Sequence, residues 1–145
     1  MGEVIGMGFS KGRVFLFRIP EGKEFLSAVV EFAKKHNVVI GTISAIGTLK
    51  NPKIGYFEEE KKQYKVIELK GIYELVSALG NISIKDDEPF AHVHVSLGDK
   101  EGKMFGGHLI EGEVFVAEVY IEELLGEPLI RKPQENGLAL WDVEE

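Results

Sequence analysis

Residues 89–120 read PFAHVHVSLGDKEGKMFGGHLIEGEVFVAEVY and hold three of the four histidines, His92, His94 and His108. In a strand, residues i and i+2 share a face. Ala91, Val93 and Val95 therefore form one face, and His92, His94 and Ser96 the other. The segment 96–103 (SLGDKEGK) has the Asp and Gly content of a hairpin turn. The chain then returns through Met104, Phe105, Gly106, Gly107 and His108, which brings a third imidazole back beside the first two. Few other arrangements satisfy this pattern of strand, tight turn and strand.

Three neutral imidazoles with an open fourth position are a known way to hold zinc or another divalent ion. His92, His94 and His108 are thus the candidate metal ligands. The same pattern fits two solvated histidines, or a pair bonded to a carboxylate, because an H-x-H pair alone does not identify a metal. Gly106 and Gly107 have two readings as well. They permit a bulge or tight bend, or they leave room for a ligand or a neighbouring subunit beside His108.

The rest of the chain reads as the frame for this hairpin. Residues 13–19 (RVFLFRI) are rich in strand formers, after a turn at Ser10, Lys11 and Gly12. Residues 21–36 have helical periodicity, with Phe25, Leu26, Val29, Val30, Phe32 and Ala33 on one face. Lys34, Lys35 and His36 suit the negative end of that helix, and Asn37 suits its C-cap. Residues 38–49 are apolar on both faces, as in a covered central strand, and Asn51-Pro52 reads as a turn. Residues 54–57 and 64–69 predict a hairpin around the charged tip 58–62. A strand follows from Gly71, ending at the acidic loop 85–88, which stands next to the histidines as a possible source of a carboxylate partner. Residues 114–121 are a further strand with Glu118 in its middle. That carboxylate is a candidate general base or additional metal ligand, or else an exposed or salt-bridged face residue. Residues 122–133 read as a charged connector and 138–143 as a short terminal strand.

One helix among many hairpin-connected strands predicts an α+β fold: a mostly antiparallel, sandwich-like sheet with one amphipathic helix packed on it. The 145 residues, with no repeat or linker, predict a single domain over 1–145. The absence of cysteine removes disulfides, thiol catalysis and thiolate metal sites, and with no signal sequence or membrane-length apolar run it predicts a cytoplasmic protein. Abundant Glu and Lys beside two glutamines (63 and 134) lean towards a heat-adapted source. The formal charge is −7, and the arginines are Arg13, Arg18 and Arg131, which is a poor endowment for reading DNA grooves. Gly6-Met7-Gly8 fails the dinucleotide fingerprint, and GTISAIG is not a nucleophile elbow.

His92-x-His94, Gly102, Gly106-Gly107-His108-Leu109 and Glu118, with the helix followed by VVIGTISAIGTL, resemble the plants-and-prokaryotes-conserved domain (PPC). Gly71-Ile72-Tyr73-Glu74-Leu75-Val76 is similar to a Gly-Arg-Phe-Glu-Ile-Leu stretch of plant members, with Ile72 in place of the arginine. The resemblance spans about residues 14–121 and implies a sandwich-like domain that assembles as a homotrimer. It also implies a protein-partner contact at Gly71, Tyr73, Glu74 and Leu75. In plant members an AT-hook beside the domain reaches the minor groove. This chain carries no Arg-Gly-Arg-Pro hook, so that mode of DNA binding has no counterpart here, and the predicted DNA-binding label of prokaryotic members rests on analogy. Three functions follow as expectations: a trimeric binding or regulatory module, a metal-dependent hydrolase-like enzyme with Glu118 as base, or a direct DNA-binding transcription regulator.

Overall fold

The computed structural model describes residues 2–141. The elements are β1 (Ser10–Ile19), α1 (Phe25–Lys35), β2 (Gly41–Glu58), β3 (Gln63–Glu68), β4 (Ile72–Lys85), β5 (Glu88–Gly98), β6 (Met104–Leu125), β7 (Ile130–Pro133) and β8 (Ala139–Trp141). The expected α+β class holds, as a mostly β chain with one helix. The strands form one eight-stranded sheet in the order β3-β2-β6-β5-β4-β7-β8, with β1 on β6 and a further β2–β4 pairing. β2, β6, β5 and β4 therefore close into a ring of pairings, and the described strands form one continuous sheet. Every pairing is antiparallel except the two-residue contact of β4 with β7, which makes the sheet mixed.

The core follows the strand alternation. Ala91, Val93, Val95 and Leu97 of β5 are buried, as are Val114, Ala117, Val119 and Ile121 of β6. From α1, Phe25, Val29 and Ala33 are fully buried in the same cluster. Each large aliphatic side chain so buried contributes about 1.5–3 kcal/mol. Phe17 of β1 stacks on Phe32 of the helix with ring centroids 3.8 Å apart.

Several boundaries differ from the sequence expectation, each for a local reason. The helix starts at Phe25 rather than Glu21 because residues 22–24 are engaged by β6. The Gly22 N–H donates to the Val114 carbonyl at 2.8 Å, and the Val114 N–H donates to the Lys23 carbonyl at 2.8 Å. Glu24 then caps the helix, its carboxylate accepting from the Leu26 and Ser27 N–H groups at 3.0 and 2.9 Å. At the other end His36 is the C-cap and Asn37 takes φ 55°, the left-handed conformation common just beyond a helix. Residues 10–12 belong to β1 instead of forming a turn, with a register shift between Lys11 and Val14. Asn51-Pro52 is not a turn but an irregularity inside β2, where the register shifts between Lys50 and Lys53. A proline within a strand is tolerated at such a bulge because no ladder N–H is needed there.

The expected acidic loop at 85–88 is the tip of the β4–β5 hairpin. Asp86 and Asp87 both have positive φ (52° and 63°), as a two-residue type I′ turn requires. Glu88 pairs with Lys34 of the helix. The expected connector at 122–133 is instead the end of β6, a bend and β7. It carries two buried charged residues, Glu123 and Arg131. Of the predicted terminal strand, 139–141 form β8, and residues 142–143 lie outside the described residues.

Candidate metal centre

The β5–β6 hairpin places the imidazoles. The Asp99 carboxylate closes its turn, accepting from the Glu101 and Lys103 N–H groups at 2.8 and 2.9 Å, while Gly102 takes φ 82°. The register that results sets His94 directly opposite His108. His92 lies two residues before His94 on the same outward face, so the predicted trio converges. One ring nitrogen from each of the three lies within 4.8 Å of the others. The Nε2 atoms of His92 and His94 are 3.2 Å apart. For nitrogen–zinc bonds of about 2.0–2.1 Å, the edge of a tetrahedron is about 3.3–3.4 Å. Two of the donors are therefore already spaced for one ion.

The protonation state of the His92 and His108 rings leaves nitrogen lone pairs free for coordination. Burial, with smaller contributions from Arg131, His108 and His94, pushes the His92 imidazole down to about 4. Burial likewise holds His108 below the usual imidazole range, with His94 and then Arg131 adding to the shift. Neutral rings offer lone pairs at neutral pH. His108 Nδ1 is buried and has no hydrogen-bond partner among the described residues. A buried polar atom left without a partner is costly, and coordination is one way to satisfy it. The donor set fits zinc or a similar divalent ion, with no thiolate and three imidazoles.

Several residues around the trio escaped the sequence reading. Tyr64 stacks on His108, with ring centroids 4.6 Å apart and planes 22° apart. The β2–β3 ladder, which pairs Phe57 with Tyr64, and the Gly55–His108 register bring it there. Arg131, only 7% exposed, approaches His92 Nδ1 with Nη2 at 3.4 Å. Its guanidinium donates through Nε to Ser83 Oγ (2.9 Å), through Nη1 to the Ala139 carbonyl (3.1 Å) and through Nη2 to Asn81 Oδ1 (3.0 Å). Together these residues wall a cavity of about 610 Å³ that also includes Lys85, Phe57 and Phe90. Only the residue type of Arg131, one of three arginines, gave any signal in sequence.

Other predicted residues lie elsewhere. Glu118 is exposed and lines a separate cavity with Leu16, Arg18, Ile46 and Leu79. It is not one of the three clustered donors and is not on the wall of the histidine cavity. Within one chain it neither completes the metal site nor acts as a base there. Gly106 and Gly107 do not line the histidine cavity. An added Cβ would stand 2.9 Å from the Val95 carbonyl oxygen at Gly106, and 2.8 Å from that of Gly55 at Gly107. The pair lets β6 sit close to both neighbouring strands. In the expected partner segment, Gly71 is held by Asn51, whose Oδ1 accepts its N–H at 2.8 Å. Tyr73 is half-buried against Phe105, and Glu74 is exposed. Leu75 is a core residue, 2% exposed, and is not available to a partner; Ile72 and Val76 face out instead. The acidic hairpin tip puts no carboxylate on the cavity wall.

A chain of this fold with three imidazoles on one hairpin falls into a class of known domains. The Plants and Prokaryotes Conserved (PCC) domain model matches residues 7–125, and the chain belongs to that family. A plant- and prokaryote-conserved protein of Pyrococcus horikoshii is 61% identical, with 99% of each chain covered and a TM-score of 0.93. A metal-containing protein from Archaeoglobus fulgidus is 40% identical, with 97% of this chain and 100% of that one covered and a TM-score of 0.92. A Bacteroides thetaiotaomicron protein whose DNA binding is a presumed one is 22% identical over 92% of this chain and 96% of its own, with a TM-score of 0.82; it shares the fold. No curated protein matches the chain. Among the described residues no helix is long and apolar enough to cross a membrane.

Proposed function

We propose that this chain is a metal-binding module that works as a homotrimer, with His92, His94 and His108 holding one divalent ion, zinc first among the choices. The observation that carries the reading is the convergence of three imidazoles, one with an unpartnered buried nitrogen. The metal content of the Archaeoglobus fulgidus protein, 40% identical, supports it. When bound, the ion would supply a Lewis-acidic centre for an oxygen-donor ligand. The role is binding or regulation. A hydrolase-like reaction has lost the base assigned to it, since Glu118 stands in another cavity.

Assembly is supported by the outward face of the sheet. Leu16, Ile46 and Leu79 are 78%, 56% and 62% exposed around a second cavity of about 510 Å³. Contiguous exposed aliphatic surface of this kind marks an association site. The cross-strand register runs from Leu16 through Tyr120, Ser44 and Leu79 to His94, so the same face leads to the imidazoles. Direct DNA binding has no comparable support on a chain of net charge −7.

Elemental analysis by mass spectrometry, with light scattering after size exclusion, tests both parts. About one zinc per chain, lost in His92→Ala, is expected, with a particle of three times the 16.1 kDa chain. Protein that takes up no metal after zinc loading ends the metal reading. A monomer at micromolar concentration ends the trimer.

A further inference from the structure

The cavity beside the imidazoles has a charge pattern that a metal does not explain. The chain carries 24 acidic and 17 basic residues. Yet the described residues lining this cavity include Lys85 and Arg131 and no Asp or Glu. Arg131 is buried and makes no ion pair with a described carboxylate. Its partners are neutral: Ser83, Asn81, the Ala139 carbonyl and the faces of Trp141 and Phe90, at 4.6 and 5.5 Å from the guanidinium carbon. Lys85 lies over the same Phe90 ring at 4.8 Å. A buried, uncompensated cation is costly. A divalent ion held by three neutral imidazoles would add two more positive charges to the same space.

The hydrogen-bond inventory leads to the same place. A guanidinium has five N–H donors. Three go to Ser83, Asn81 and Ala139, a fourth faces His92 Nδ1 at 3.4 Å, and one on Nη1 has no partner among the described residues. If His92 uses Nε2 for the ion, as its facing of His94 Nε2 indicates, its proton sits on Nδ1. Two donors then confront each other. An anionic oxygen beside them accepts from both.

We propose that Arg131, with Lys85, forms the anion-binding half of this site, and that its ligand is a small organic carboxylate with an apolar body. This rests on the metal reading for its company but not for its charge, which Arg131 and Lys85 supply. The walls argue for the apolar body: Phe57, Tyr64, Phe90 and Leu138 face the cavity, and its volume of about 610 Å³ far exceeds a bare inorganic anion. A planar carboxylate also suits the planar fork of a guanidinium.

The test uses the full chain, zinc-loaded and metal-free, titrated calorimetrically with benzoate and with benzamide, its neutral isostere. Benzoate is expected to bind the zinc-loaded protein at least ten-fold more tightly than benzamide. Arg131→Gln should lower benzoate affinity at least ten-fold while zinc stays at about one per chain. Lys85→Gln, which touches none of the Arg131 bonds, should lower it several-fold and guards against a misfolded Arg131 variant. Equal binding of benzoate and benzamide overturns the proposal, as does full benzoate affinity in a folded Arg131→Gln protein. Inorganic phosphate displacing benzoate at equal concentration overturns the carboxylate assignment. If zinc fails to load but metal-free protein still prefers benzoate, the anion site stands and the metal reading falls. If benzoate binds neither form, the anion site falls whatever the zinc content.

Discussion

Arg13 lies open to solvent and grips a buried carboxylate, whereas Arg131 is buried and grips none among the described residues. At the first site, Glu123 accepts from the Arg13 backbone N–H at 3.0 Å, from Nε at 2.9 Å and from Nη2 at 2.7 Å. Nη2 also donates to the His36 carbonyl at 2.6 Å, tying β1 and β6 to the end of the helix. The pairing, chiefly the side-chain hydrogen bonds, pulls the Glu123 carboxyl down to about 2. Charge, hydrogen bonds and position all close on themselves, so this is a clasp. At the second site, hydrogen bonds fix the guanidinium, and no described carboxylate answers its charge beside the three imidazoles. On the anion-site proposal, what separates the two arginines is the counter-charge, present at Arg13 and absent among the described residues at Arg131.

The largest expected effect separates the two sites through the metal. His94→Ala should abolish zinc uptake, and with it the stabilisation that zinc gives, about 2.7 kcal/mol at a hundred-fold excess over its dissociation constant. Arg13→Gln should leave zinc content untouched. Thermal melts with and without zinc, beside metal analysis, check both. A zinc-dependent melt that survives in His94→Ala would remove the contrast.

Next comes the support of Arg131. Ser83 is fully buried, and its hydroxyl accepts from Nε. Ser83→Ala strands that donor and should cost about 1–3 kcal/mol, read from denaturant unfolding. It should also weaken benzoate binding. A neutral result would mean that Arg131 is not held by this bond.

Acid titration should show the two sites as two limbs. The His92 imidazole falls from 6.5 in the unfolded chain to about 4 when folded, so the unfolded chain binds the extra proton. Stability is therefore unaffected above 6.5 and declines as pH falls towards 4. Glu123 moves from 4.5 to about 2. Its contribution is full above 4.5 and is lost as pH falls towards 2. His92→Gln should flatten the upper limb and Glu123→Gln the lower one, followed by unfolding midpoints across pH. A single limb that neither variant alters would defeat the assignment. The smallest effect belongs to Glu118→Gln, expected within about 0.5 kcal/mol for an exposed position and without change in zinc. Loss of zinc there would bring Glu118 back into the site, through a neighbouring subunit.

The histidine hairpin was legible because its information is local. Alternation put Ala91, Val93 and Val95 inwards and His92 and His94 outwards, and Asp99 and Gly102 marked the turn that sets His94 opposite His108. The helix face was legible for the same reason, through Phe25, Val29 and Ala33. Its first residue was not, because β6 holds residues 22–24 through bonds to Val114. Asn51-Pro52 has the composition of a turn, but flanking strand pairings on β6 carry the chain through it as a bulge. Leu75 fell among residues expected to meet a partner, and only its neighbours across the sheet make it core.

What the sequence by itself determined is the hairpin, its three imidazoles, the amphipathic helix and the family. These depend on periods of 2 and 3.6 residues and on turn chemistry, which act over a few positions. Only the tertiary structure decided that Arg131 joins the imidazoles, that Tyr64 stacks on His108 and that Glu118 lines a different cavity. Arg131 stands 39 residues from His92 and 48 from Ser83. It reaches them through a two-residue parallel pairing of β7 with β4. Contacts that distant are set by how strands meet across the sheet, and a one-dimensional pattern carries no record of that meeting.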